Sequence, residues 1–276
     1  MVKLGRINTL KVTRHVDFGV YLDGGESGEI LMPAKYIDKP LEVGEETDVF
    51  VYRDGSQRLV ATKEKPLAMA GEFAYLECAA VNRFGAFMDW GVVKQLLVPF
   101  SEMKLQMKQG RRYMVYVYVD DASDRIVASA KIEKFLGNVY PEYRVGETVK
   151  AQIIKRNDMG FSCIVDNLHK GMIYLNESYA DYKPGEIIDA KVRQVRRDGK
   201  IDLTPGGKSL DRTLDVATRI ESIVEEEGSL ALCDSSSPEE IKLRLHCSKK
   251  DFKKALGHLL KNKKVSVEEG VILKQS

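Results

Sequence analysis

The stretch Phe84-Gly85-Ala86-Phe87 decides the fold, because related stretches stand at Phe18-Gly19-Val20-Tyr21 and at Met159-Gly160-Phe161. In each stretch a glycine follows a large apolar side chain, at a point where a strand must bend or admit a close neighbour. Repetition along a chain is stronger support for an architecture than one isolated motif. We therefore expect three copies of one structural unit.

A second glycine and a closing strand recur in the same register. The second glycine lies 25 positions after the first in every copy, at Gly44, Gly110 and Gly185. Each copy then ends in a basic residue and a β-type run that closes on a hydroxyl, at 58–62, 125–129 and 200–204. Short alternating runs between these points are typical of strands separated by turns. The copies predict three tandem five-stranded β-barrels of the oligonucleotide-binding (OB) type.

The aromatic residues of the repeat are candidates for stacking on nucleic-acid bases. The competing interpretation is that these rings are ordinary core residues of strands. Phe84 and Phe87 have two residues between them, so strict strand alternation would place them on opposite faces. Only a twist or a bulge at Gly85 would bring both rings to one surface.

The third copy departs from the other two. Met159 replaces the first aromatic residue and Ser162 the second, which leaves Phe161 beside the glycine. Tyr174 stands fourteen residues after the glycine, where the other copies have proline. The fourth strand and the following turn are the most basic of the three copies, with Arg196, Arg197 and Lys200 among their residues.

Two further features lie outside the barrel interiors. Tyr116 and Tyr118 alternate with valines that fill the second barrel, so both rings are expected to pack outside it, with the neighbouring unit as a candidate partner. The run 131–136 predicts a short helical connector that leads into the third unit.

The composition excludes several classes of protein. Of 276 residues, 43% are hydrophobic and 30% charged, and no apolar run approaches the roughly 18 residues of a membrane span. The first residues lack the apolar core of a signal peptide, so we expect a cytosolic protein. The four cysteines have no CxxC spacing and are expected to be reduced thiols rather than disulfides or zinc ligands.

The last part of the chain changes from a period of two to one of about 3.6. A helical stripe ends at Gly228, and Ser237-Pro238-Glu239-Glu240 supplies the N-cap and first turn of a second helix. A third helix begins near Ser248, and a hairpin follows at 265–273. This order predicts an α+β winged-helix domain.

A glycine-containing stretch at 205–209 precedes these helices and looks like the end of a phosphate-binding loop. Asp202 stands where such a loop needs its first glycine, so the backbone cradle cannot form. We interpret the stretch as a linker.

The net charge of the chain is only +2, which is weak support for a nucleic-acid partner. The third helix region is locally basic and includes Lys249, Lys250, Lys253 and Lys254. A solvated helix face is one explanation; phosphate contact is the other. Lysines rather than base-reading side chains predict weak sequence specificity.

The second unit resembles the S1 RNA-binding domain in its Phe84–Phe87 stretch, in 97–102, at Gly110 and in 125–129, and the other units resemble degenerate copies of it. The resemblance implies RNA contacts at the two aromatic positions, at the position fourteen after the glycine and at the closing basic residue. Carried onto this chain, the implied contacts are Phe18, Tyr21, Arg58, Phe84, Phe87, Arg125, Phe161, Tyr174 and Lys200. The S1 domain often has histidine where Pro33 and Pro99 stand, so one polar contact is missing from the first two units.

Three S1-like units at 1–66, 67–136 and 145–206, followed by a winged helix at 209–276, resemble the architecture of the conserved virulence factor B family. The resemblance implies a cytosolic RNA binder that influences gene expression and has no catalytic activity. We expect single-stranded RNA as the favoured partner, with neither a cofactor nor a small-molecule substrate. The alternative is a transcription regulator whose third winged-helix helix docks on duplex DNA. An enzyme has the least support, since no metal-ligand spacing or nucleophile motif is present.

Overall fold

The computed structural model describes residues 1–175, 181–206 and 209–275, without the side chains of 209–215. The contacts divide the chain into two compact units, Met1–Leu136 and Gly137–Ser276. Each unit contains two of the four predicted domains. The limits of the individual domains stay a prediction.

The three predicted barrels are present, and each closes from five strands. The first consists of β1 (Ile7–Val16), β2 (Gly19–Asp23), β3 (Glu29–Pro33), β4 (Glu46–Arg53) and β5 (Leu59–Thr62). The second consists of β6 (Glu72–Asn82), β7 (Gly85–Asp89), β8 (Leu96–Pro99), β9 (Arg112–Asp120) and β10 (Arg125–Ser129). The third consists of β11 (Thr148–Asn157), β12 (Gly160–Val165), β13 (His169–Tyr174), β14 (Ile187–Val195) and β15 (Ile201–Pro205).

The strands follow the same order around every barrel. In the first barrel that order is β1-β2-β3-β5-β4, and the other two repeat it. The third and fifth strands pair in parallel, while the first and fourth close the ring in antiparallel. The repeat in the sequence is therefore a repeat of topology, and the OB-fold prediction is confirmed.

The first glycine of each repeat is required by the approach of the neighbouring strand. Gly19, Gly85 and Gly160 have φ of +152°, +147° and +154°, a conformation that residues with a Cβ rarely adopt. A Cβ built on any of the three would collide with a backbone oxygen of the next strand. The glycine marks a close strand contact in all three copies.

The second glycine is explained by a β-bulge in the first strand. In β1, β6 and β11 the pairing register shifts by one residue at the same place. Gly44, Gly110 and Gly185 donate their N–H to the carbonyl just before that bulge, at 2.8, 2.8 and 2.7 Å. Both glycines thus fix the bend of one long strand.

The first two barrels pack together within the first unit. Phe50 and Tyr52 point out of the first barrel and join the core of the second, where Phe50 meets Trp90 edge to face at 5.5 Å. By contrast, Tyr116 and Tyr118 stack on Phe135, with centroid distances of 4.1 and 5.4 Å. These two tyrosines therefore pack on the connector, whose short 3₁₀ helix spans Ile132–Phe135.

The winged-helix prediction is also confirmed, with one additional short strand. The domain consists of α1 (Ser209–Glu227), β16 (Ser229–Leu230), α2 (Pro238–Leu245), α3 (Lys249–Lys261), β17 (Val265–Glu268) and β18 (Val271–Lys274). Ser237 and Glu240 form a reciprocal capping box at the start of α2. Of the predicted linker, Pro205 ends β15 and Ser209 begins α1, while 207 and 208 lie outside the described residues.

Cys78, Cys163, Cys233 and Cys247 are free thiols. Among the helices that the structure describes, none is at once long and apolar enough to span a membrane.

Candidate nucleic-acid interface

Phe84 lies in the turn between β6 and β7, not on a strand. Its backbone N–H donates to Oδ1 of Asn82 at 2.8 Å, which holds the turn. The ring is 57% exposed, and the Arg83 guanidinium lies 4.8 Å from its centre. Because Phe84 is in a turn, strand alternation does not set the direction of its side chain.

Phe84 and Phe87 line one cavity of about 340 Å³ at the junction of the first two barrels. Arg125, the closing basic residue of the second barrel, lines the same cavity. The structure therefore brings together the three residues predicted for the second S1-like site. The turn at Phe84, followed by the glycine, is what allows two rings with two residues between them to share a surface.

The charged side chains of this cavity are all cationic. Its lining residues lie within the described part of the chain and include Arg53, Lys94 and Arg125, with no carboxylate among them. The Lys94 ammonium donates to the backbone oxygens of Arg53 and Asp54, at 2.5 and 3.0 Å. Desolvation, together with the nearby charge of Arg125, lowers the pKa of Lys94. This arrangement suits an anionic ligand with an apolar, planar part.

In the first barrel, Phe18 occupies the turn position of Phe84 and is 58% exposed. Tyr21 is half-buried, and the Arg14 guanidinium stacks on its ring at 4.0 Å. Arg14 also forms an ion pair of 2.8 Å with Glu29. The Tyr21 face is thus already covered in part by a side chain of its own barrel.

Arg58, the closing basic residue of the first barrel, forms an exposed ion pair with Asp54 at 2.9 Å. Tyr21 and Arg58 line a second cavity of about 580 Å³, together with the carboxylates of Glu29 and Asp54. These acidic groups weaken the attraction for a phosphate strand.

The third barrel corrects the prediction for Phe161. Its side chain is 1% exposed and lies in the core of the barrel, where it meets Tyr182 edge to face at 5.2 Å. A ring buried in this way cannot stack on a base. Phe161 directly follows the first glycine, as the buried Val20 and Ala86 do in the other barrels. The RNA contact was predicted from its aromatic ring and not from its position.

Met159 takes the place of Phe18 and Phe84 in the third barrel. It precedes the same glycine and is 63% exposed. The sequence analysis interpreted Met159 as the loss of an aromatic contact. The position before the first glycine is nevertheless exposed in all three barrels.

Tyr174, Arg196 and Asp202 form one cluster on the third barrel. Tyr174 lies directly opposite Gly160 in the strand pairing and donates to Oδ1 of Asp202 at 3.3 Å. Arg196 bonds to the Tyr174 hydroxyl and pairs with the buried Asp202 at 2.8 Å. The hydrogen bond that Arg196 donates to the Asp202 carboxylate raises the pKa of Arg196. Two predicted contact residues are thus held by a buried carboxylate.

Arg197 and Lys200, the other two predicted residues of this barrel, are exposed. Lys200 forms an ion pair of 2.9 Å with Asp198 across the turn.

In the winged helix, Lys250, Lys253 and Lys254 lie on the exposed side of α3. The opposite side is buried and consists of Phe252, Ala255, Leu256 and Leu259. Lys249 differs from the other lysines, since it is half-buried and donates to the backbone oxygen of Ser236 at 2.8 Å. This hydrogen bond therefore joins the start of α3 to the segment before α2.

Sequence reasoning missed Arg53, Gln57, Trp90 and Lys94 as residues of the interface. All four line the cavity at the barrel junction. No repeat signal marks them, because they meet through the packing of one barrel on the next.

Comparison with protein families identifies two parts of the chain. Residues 4–64 match an S1 domain, and residues 219–273 match a CvfB-like winged helix domain. Conserved virulence factor B of Staphylococcus haemolyticus is 27% identical over 98% of this chain and 93% of its own length. Residues 219–273 thus resemble the winged helix of CvfB-like proteins, and the chain is similar to conserved virulence factor B over nearly its whole length.

Two further proteins are similar to nearly the whole chain. The uncharacterized protein YitL of Bacillus subtilis is 27% identical over 96% of this chain and 92% of its own. A crystal structure of a Streptococcus pneumoniae multidomain protein with nucleic acid binding domains covers 98% of both chains, at 22% identity and a TM-score of 0.45. The S1 and winged-helix domains support nucleic-acid binding by this chain.

Proposed function

We propose that the chain is a non-enzymatic RNA-binding protein that takes single-stranded RNA with low sequence specificity and acts in post-transcriptional regulation. The shared cavity of Phe84, Phe87 and Arg125 carries the proposal. Aromatic rings beside cations are the usual elements of a single-strand site, because every base can stack on a ring while the cations bind phosphates.

The exposed lysines of α3 add a phosphate-binding surface without base-reading side chains. Lys250, Lys253 and Lys254 can neutralise phosphates, and α3 contains no arginine, asparagine or glutamine. Low specificity follows from this, and so does strong dependence on salt. For single strands the logarithm of the affinity falls by about 0.7 for each phosphate neutralised per decade of salt.

The test is a fluorescence-anisotropy titration of the full chain with labelled single-stranded RNA at several salt concentrations. We expect Phe84→Ala and Arg125→Ala to weaken binding at unchanged melting temperature. Phe100→Ala and Arg111→Ala are the matched controls, because both residues are exposed on the same barrel and lie outside the cavity lining. Equal losses in the controls would contradict a specific site.

Duplex DNA of equal length serves as the competitor in the same titration. The exposed side of α3 is the feature that a DNA-binding winged helix would use. A clear preference for the duplex would replace this proposal by the transcription-regulator hypothesis.

A further inference from the structure

The cavity at the barrel junction contains several polar side chains that no S1-like contact accounts for, and Gln57 is the one that meets Arg125. Gln57 belongs to the first barrel and lines the cavity together with Phe84, Phe87 and Arg125 of the second. In the amide orientation that satisfies its neighbours, its oxygen accepts from Nε and Nη2 of Arg125 at 3.3 Å each. Gln57 thus couples one barrel to the cation of the other.

Gln57 occupies a backbone position that favours glycine. Its φ is +67°, and the residues that precede the closing basic residue in the other barrels, Asp124 and Gly199, have φ of +50° and +74°. Glycine adopts this left-handed conformation freely, whereas a residue with a Cβ adopts it at a cost in backbone free energy. The conformation of the turn therefore does not explain why residue 57 is a glutamine.

Several contacts hold the two sides of the cavity in place. Arg53 of the first barrel forms an ion pair with Asp124 of the second, and Lys94 of the second bonds to the carbonyls of Arg53 and Asp54. The N–H of Ala70 donates to the oxygen of Gly5 at 2.8 Å. A site held in this way loses little conformational freedom when a ligand enters.

The cavity has the size and the chemistry for one base. Its volume of about 340 Å³ falls within the roughly 300–1,000 Å³ of small-molecule sites. Phe84, Phe87 and Trp90 supply apolar walls, and the cationic lining complements the phosphate of a strand. Glutamine and arginine are the side chains that make bidentate contacts with the edges of adenine and guanine.

We propose that this cavity takes one purine base of the bound RNA strand, and that Gln57 and Arg125 contact the edge of that base. The proposal rests on the proposed RNA-binding function and adds to it a preference at a single position. Bases splayed out of a single strand are recognised in this manner, by stacking together with hydrogen bonds to their edges.

The experiment compares four labelled RNA probes of equal length with the full chain. One is oligouridine, and the others carry a single internal adenosine, guanosine or cytidine. Because the chain can choose its register on such a probe, the position of the base need not be known. We expect one purine probe to bind at least fivefold more tightly than oligouridine, and the cytidine probe to bind like oligouridine.

Gln57→Gly removes the side chain and at the same time relieves the backbone, so this variant is expected to melt no lower than the parent. It should lose the purine preference, so that the purine probes and oligouridine bind alike. Ser56→Ala, at an exposed residue of the same turn that does not line the cavity, should keep the preference.

The outcomes separate the two proposals. Tight binding of all four probes without a purine preference, or a preference that survives Gln57→Gly, overturns the base site and leaves the RNA-binding function standing. Absence of binding to every probe overturns both.

Discussion

The second and third barrels share one topology but present different chemistry at the equivalent positions. In the second, Phe84 and Phe87 line an open cavity beside Arg125. In the third, Met159 replaces the first ring, and the equivalent of Phe87 is Ser162, which accepts a hydrogen bond from Asn157 at 3.1 Å. The second barrel is thus equipped for stacking, whereas the third offers Arg196 and Tyr174 bound to a buried carboxylate.

This difference shows that the fold and the binding chemistry are set by different residues of the same repeat. The glycines and the bulge recur in all three barrels and fix the backbone. The residue before the first glycine and the second residue after it vary and set the ligand surface. A copy can therefore lose its stacking rings without losing its barrel.

The largest expected effect is a loss of stability on replacing the first glycine, which the two barrels share. Gly85→Ala and Gly160→Ala should each destabilise their barrel by about 2–5 kcal/mol, which combines the cost of a left-handed backbone with overpacking. The added Cβ would meet the oxygens of Val98 and Ile173. Thermal or urea denaturation measures the loss.

Gly55→Ala is the control, because a Cβ there meets open space and its φ is not left-handed. If Gly85→Ala or Gly160→Ala melts like the parent, the glycine is not required by the close strand approach.

The next prediction concerns the residue before the first glycine, which differs between the two barrels. Phe84→Ala should lower RNA affinity by about 1–3 kcal/mol, the usual value of one base stacked on an aromatic ring. Met159→Ala, at the equivalent position, should lower it by less, since a thioether offers no ring. Anisotropy titrations of both variants decide this, and equal losses would remove the distinction between the barrels.

The exposed lysines of α3 should determine part of the salt dependence of RNA binding. Replacing Lys250, Lys253 and Lys254 together by alanine should flatten the slope of log affinity against log salt by about 2, at about 0.7 for each phosphate. The melting temperature should stay unchanged, because these residues lie opposite the buried side of α3. Normal binding by the triple variant would indicate a protein-interaction module.

Arg197→Ala should give the smallest effect, a change of slope of about 0.7 for one lost phosphate contact. Arg196→Ala is the contrast, because its loss leaves the buried Asp202 without its guanidinium partner and should lower the melting temperature. If Arg197→Ala leaves the slope unchanged, this arginine does not bind phosphate.

Much of the fold could be predicted from the sequence, since the paired glycines and the 3.6-residue period are local signals. The error at Phe161 arose because chemical type was weighed above register, although Val20 and Ala86 stand at the same place. Gln57, Trp90 and Lys94 could not be predicted, since they meet only when two barrels pack together. Phe84 and Phe87 share a surface because Phe84 lies in a turn. Strand alternation does not describe the geometry of a turn, so the shared surface could not be predicted.

Trp90 offers the most direct test of the central claim that RNA stacks in the cavity at the barrel junction. It is the single tryptophan of the chain, it lines the cavity, and its indole N–H is held by the carbonyl of Lys94 at 2.6 Å. A titration with single-stranded RNA should change the tryptophan fluorescence at the same midpoint as the anisotropy, and Phe84→Ala should weaken both signals together. Tight binding by anisotropy with unchanged tryptophan fluorescence would contradict the claim.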